Sequence, residues 1–167
     1  MMKKKTLATL LTLTMLTTAA VPVFAADDNV TTDGGEKKTT VSYEVGSTFT
    51  VVIPATVILT NGTNTGDSGK ISVSDAIIPE GKNLTVTITD ATNYDTTGDK
   101  FRLVDSANPN NYLDYTIKNG EAAVTKGTAF LSVPAGTATG DAALTYTAKA
   151  NKAGTYTDQL TFTAKVE

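Results

Sequence analysis

Tyr156-Thr157-Asp158-Gln159-Leu160-Thr161-Phe162-Thr163-Ala164-Lys165-Val166 runs, apart from Asp158-Gln159, as an alternation of apolar residues with Thr or Lys. Successive side chains of an extended chain point to opposite faces, so Tyr156, Leu160, Phe162, Ala164 and Val166 gather on one side and Thr157, Thr161, Thr163 and Lys165 on the other. One side is dry and the other wet. The pattern predicts a single strand over 155–166, and Thr85-Val86-Thr87-Ile88-Thr89 repeats it in mid-chain.

Working outward, the same reading places strands at 39–45, 48–53, 56–60, 70–74, 83–89, 100–104, 112–118, 121–125, 128–133 and 142–150. Turn chemistry separates them: Asn61 to Gly69, Pro79-Glu80-Gly81, Asn108-Pro109-Asn110-Asn111, Asn119-Gly120 and Asn151 to Gly154. Beyond the N-terminal apolar run no stretch has a 3.6-residue apolar period. Short strands at near-regular spacing predict an all-β sandwich or barrel. Val51-Val52-Ile53 and Val57-Ile58-Leu59 are apolar on both faces, which suits a strand under a loop, one covered on both sides, or one in a subunit contact.

Near the C terminus, Ala153-Gly154-Thr155-Tyr156-Thr157-Asp158 places a small residue and a Tyr just before the alternating strand. This resembles the tyrosine corner, in which the phenol bonds back to backbone where a strand begins, and it predicts an immunoglobulin-like antiparallel β-sandwich. The stretch Ala153 to Val166 also resembles the closing strand of spore-coat-U-type and related pilus-subunit domains and of secreted WxL-type surface proteins. The chain departs from those families in having no Trp, hence no Trp-x-Leu motif, and no Cys. The resemblance implies a bacterial surface-type sandwich.

Residues 1–25 join Lys3-Lys4-Lys5 to an apolar run from Leu7 to Ala20 and close on Val23-Phe24-Ala25, small residues at the minus-three and minus-one sites of a cleavage. They read as a secretory signal peptide. Residues 26–38, polar and Gly-containing, read as a disordered leader, and 39–167 as the β-sandwich domain. Cleavage after Ala25 would remove three lysines and leave 11 basic against 17 acidic side chains, a net charge of −6. That charge disfavours nucleic acid and anionic bilayers, and no second apolar stretch follows that would span a membrane. A leader poor in large aliphatics is a poor strand donor, and Val41-Tyr43-Val45 is expected to complete the domain's own sheet. The processed protein is therefore expected to be a monomer in isolation.

The 167 residues contain no His and no Cys. Without imidazole or thiol there is no Ser-His-Asp triad, no Cys nucleophile, no disulfide and no metal site built on nitrogen or sulfur. Paired carboxylates could still hydrolyse glycosides, but no pair stands out, so no catalytic residue, metal ligand or cofactor is assigned and the chain is not read as an enzyme. The acidic loops Asp90 to Asp99 and Asn64 to Asp67 hold oxygen ligands suited to calcium without the ladder of an EF-hand; solvated loops are the plainer reading. Tyr94, Tyr112 and Tyr115 lie in or beside loops, where exposed rings stack on sugars, and they are the candidate ligand-binding residues. Tyr112 and Tyr115, three apart, should face opposite sides of a straight strand, so at most one joins Tyr94. The expected function is a secreted, non-catalytic structural or adhesive protein at the cell surface or outside the cell, with other surface proteins as partners. The alternative is a small module binding cell-wall or extracellular polysaccharide.

Overall fold

The computed structural model describes residues 10–16, 41–60, 62–64 and 66–167. The expected leader at 26–38, the expected signal peptide apart from 10–16, and residues 39–40 of the first expected strand lie outside the described residues.

The elements in chain order are β1 (Leu10–Leu16), β2 (Thr48–Pro54), β3 (Leu59–Thr60), β4 (Thr63–Asn64), β5 (Lys70–Ile77), β6 (Asn83–Ala91), β7 (Phe101–Asp105), β8 (Tyr112–Asn119), β9 (Ala122–Ala123), β10 (Ala129–Pro134), β11 (Gly140–Ala148), β12 (Tyr156–Thr157) and β13 (Leu160–Val166). A short 3-10 turn spans Gly66–Gly69. The larger sheet runs β1-β2-β5-β11-β8-β7-β12, with β3, β4 and β9 attached at its margins; the smaller runs β10-β6-β13. Every strand pairing is antiparallel. The protein is all-β, as the alternation of Thr with aliphatics requires. Among the described residues no helix is long and apolar enough to cross a membrane.

The core follows from period two. Leu84, Val86 and Ile88 of β6 are fully buried, while Thr85 and Thr87 between them are half-exposed and Thr89 lies in solvent. Ile71 and Val73 of β5, Ile117 of β8, Val133 of β10 and Leu144 of β11 complete the sealed interior. Each such side chain contributes roughly 1.5–3 kcal/mol of transfer free energy, and their summed burial holds the two sheets together. The loop before β5 lies hard against β11: a Cβ at Gly69 would collide with the Leu144 carbonyl, so only glycine fits. Asn64 takes over strand pairing there, accepting from the Tyr146 amide at 2.7 Å and donating to the Leu144 carbonyl at 3.2 Å.

Two expectations need correction. The single strand over 155–166 is two strands in different sheets: Tyr156 and Thr157 pair with Asp105 and Val104 of β7, whereas Leu160 to Val166 pair with β6. Asp158 and Gln159 carry the chain across, fixed by the Asn93 amide on the Asp158 carboxylate at 3.0 Å and the Thr92 amide on the Gln159 carbonyl at 2.9 Å. The strand over 39–45 is not formed where it is described: residues 41–47 join no strand, and Val41 and Tyr43 are 90% and 92% exposed. The outer edge of β2 is held by β1, which pairs over its whole length from Leu10↔Pro54 to Leu16↔Thr48. Own-sheet completion by Val41–Val45, the premise of the monomer expectation, is absent here.

Candidate functional site

The two sheets part where β2 runs into residues 55–59 on one side and β12 crosses to β13 on the other. A groove of about 770 Å³ opens there, lined by Ile53, Pro54, Val57 and Leu59, by Leu160 and Phe162 opposite, and by Leu103, Tyr115, Tyr146 and Tyr156 between them. Leu160 and Phe162 alternate with polar neighbours along β13, whereas Ile53 and Leu59 sit in stretches apolar on both faces, and all four are only half-buried. The groove offers hydrophobic contact along its length, and one of its borders, β13, is the edge strand of its sheet.

Two tyrosines supply its polar anchors. The Tyr115 hydroxyl donates to Asp158 Oδ2 at 2.9 Å, so the crossing segment is tied to β8 by one phenol. Burial, reinforced by the Asp158 carboxylate, pushes the Tyr115 pKa well above the ordinary phenol value; burial alone does the same for Tyr146. Both phenols stay protonated throughout the physiological range. At the far end of the crossing the Tyr156 hydroxyl donates to the Lys152 carbonyl at 3.3 Å, four residues back.

The structure separates the three candidate tyrosines. Tyr94 and Tyr115 flank Phe101 in one aromatic row, with centroids 5.2 and 5.6 Å from the Phe101 ring, and Tyr115 is only 6% exposed. Tyr112, 54% exposed, faces the other way, as its three-residue offset from Tyr115 requires. Lys126 Nζ lies 4.7 Å from the Tyr94 ring centroid, and the Tyr94 hydroxyl donates to Asp99 Oδ1. Burial and that bond push the Tyr94 hydroxyl up to about 12.

Around Tyr112 the outer face of β7 and β8 carries a charge network. Arg102 stands directly opposite Asp114 in register and bonds it at 3.1 Å, reaches Asp95 Oδ2 at 2.7 Å, and stacks its guanidinium 4.0 Å from the Tyr112 ring centroid. Lys100 adds a second contact to Asp114 at 3.3 Å. The Asp95 carboxyl lies below its ordinary range, chiefly because it accepts the Gly98 amide, with Thr97 and Arg102 adding to the effect. Asp90 is lowered by its bond to Lys126. The carboxylates at 90, 95 and 99 are thus each engaged by a side chain of this protein, and among the described residues no three acidic side chains form a metal-sized cluster.

Sequence reasoning missed the groove, because Ile53 and Phe162 are more than a hundred residues apart. It missed Arg102 as well, although Arg102 and Asp114 on neighbouring predicted strands are the signal that could have found that pair. No protein-family model and no curated protein matches the chain.

Proposed function

We propose that this chain is a secreted, non-catalytic protein of the cell surface or extracellular space, structural or adhesive in role, built as an immunoglobulin-like sandwich. The observation that carries the reading is the long apolar groove between β2 and the edge strand β13, a shape and lining that suit a protein segment better than a small polar substrate. The Tyr156 bond to the Lys152 carbonyl is in keeping with a tyrosine corner and so with the immunoglobulin-like form. The basic-apolar-small layout of residues 1–25 supports export, and the partners are other surface proteins.

A second reading, a polysaccharide-binding module, draws on Tyr112. Its ring is exposed beside Arg102 and Asp114, an aromatic surface with charged hydrogen-bonding groups at its margin.

Fractionation of producing cells with intact-mass analysis tests the first reading. It requires a chain starting at Ala26 outside the cytoplasm; a full-length cytoplasmic chain would refute it. Titration with cell-wall polysaccharide separates the two: binding abolished by Tyr112→Ala selects the second.

A further inference from the structure

We propose that processed chains join head to tail, the segment Val41–Val45 of one copy adding as an antiparallel strand to the outer edge of β2 in the next. The inference rests on the export reading, because it needs residues 10–16 to leave.

In the structure β1 occupies that edge, with Leu11, Leu13 and Met15 opposite Ile53, Val51 and Phe49, and Thr12 and Thr14 opposite Val52 and Thr50. Phe49 and Val51 are buried, and Ile53 lines the groove, so the positions opposite them lie on the core face of the sheet. Cleavage after Ala25 would remove this strand and uncover the backbone groups of Thr48–Pro54, which carry no charged residue to deter pairing. The chain contains a second segment with the same pattern: Val41-Ser42-Tyr43-Glu44-Val45 repeats the apolar-polar-apolar-polar-apolar order of Leu11-Thr12-Leu13-Thr14-Met15. Val41, Tyr43 and Val45 are 90%, 92% and 47% exposed, large apolar side chains with little cover of their own.

The obvious competitor is the same segment folding back on β2 of its own chain, and the phase of the connection argues against it. A two-residue Gly46-Ser47 turn, the favoured hairpin chemistry, pairs Val45 with Thr48 and therefore Glu44 with Phe49 and Ser42 with Val51. That register turns a carboxylate and a hydroxyl toward the core and the three apolar residues away from it. Restoring the phase needs a three-residue loop with a left-handed third residue, a position that falls on Ser47 or Thr48 instead of glycine. Between copies no loop constrains the register, so Val41↔Ile53, Tyr43↔Val51 and Val45↔Phe49 are all available. Such a contact joins different surfaces of the two copies and leaves one of each kind free, so it propagates as a chain of subunits.

The test uses protein made to begin at Ala26, so it stands whether or not cells perform the cleavage; retention of residues 1–25 in cells would refute export without touching this result. Light scattering of the parent should show mass rising with concentration. Tyr43→Asp should raise the concentration needed for association about tenfold or more and leave the melting temperature of the monomer unchanged. The native chain has no cysteine, so mixing a Ser42→Cys variant with a Val52→Cys variant should give a disulfide joining the two, and neither alone should do so efficiently. A parent that stays monomeric at every concentration overturns the proposal. So does a Ser42→Cys/Val52→Cys double variant that closes within one chain while Tyr43→Asp lowers the monomer's melting temperature, which would assign the segment to its own sheet.

Discussion

β2 and β13 border the same groove from different sheets, and they are exposed to pairing in different degrees. Each carries a register shift against its inner neighbour, β2 between Thr48 and Thr50 and β13 between Thr161 and Phe162, so irregularity does not distinguish them. Polarity does. β13 turns Thr161, Thr163 and Lys165 fully to solvent, with Lys165 Nζ 3.1 Å from Glu167 Oε2, whereas the outward Thr48, Thr50 and Val52 of β2 are half-buried and uncharged. The strand with a charged, wet outer face ends its sheet; the one without accepts another strand. A sheet margin is open or closed according to a few side chains, and the backbone is the same in both cases.

The largest expected effect lies on β13's inner face. Phe162 meets Phe130 edge-to-face at 6.1 Å and lines the groove, so Phe162→Ala should cost about 2–4 kcal/mol in urea melts, whereas Val52→Thr on β2 should cost clearly less. Equal losses would remove the asymmetry between the two strands. Tyr115→Phe should cost about 1–2 kcal/mol, because it leaves the Asp158 carboxylate with the Asn93 amide alone at the point where the chain passes from one sheet to the other. No loss there would mean that the crossing is held by backbone bonds only. Tyr156→Phe should cost less, about 0.5–1 kcal/mol, since its bond to Lys152 is solvent-exposed and water replaces the lost donor. A melt indistinguishable from that of Thr161→Ser would deny the hydroxyl any structural part. Lys165→Thr is expected to leave the melting temperature where it is and to add self-association visible by light scattering; a silent result would show that charge is not what keeps β13's margin clear.

The strands were legible wherever local alternation decides them. β6 and β8 fall at 83–91 and 112–119 against expected spans of 83–89 and 112–118, because Leu84-Val86-Ile88 and Tyr115-Ile117 bury one parity within the expected spans; the extension of β6 to the buried Ala91 follows a change of phase at Thr89-Asp90. The break between β12 and β13 was not read from the sequence, since Tyr156 and Leu160 keep the same parity across Asp158-Gln159, and it is the tertiary partners Asn93, Tyr115 and Thr92 that fix the crossing there. Two segments share this alternation, Leu11 to Met15 and Val41 to Val45, and the structure pairs only the first beside β2. A pattern names a strand former but not which of two will be paired. Among the candidate site residues, the opposed faces of Tyr112 and Tyr115 followed from their spacing. The aromatic row through Phe101 did not, because it depends on how loop 91–100 folds over β7.

The smaller sheet also dictates when this protein can become native. Its central strand, β6 at 83–91, has one neighbour at 129–134 and the other at 160–166, and the last pairing joins Asn83 to Glu167 through two backbone bonds of 2.9 Å. No hairpin closes within it. A chain delivered from its N terminus must therefore hold β6 open on that side until residue 160 has emerged. Connections this distant in sequence place folding in the range of about milliseconds to seconds, slower than helical proteins of similar size. Local pairings such as β7 with β8 can form earlier, but the smaller sheet is completed in a late step that needs the whole described chain.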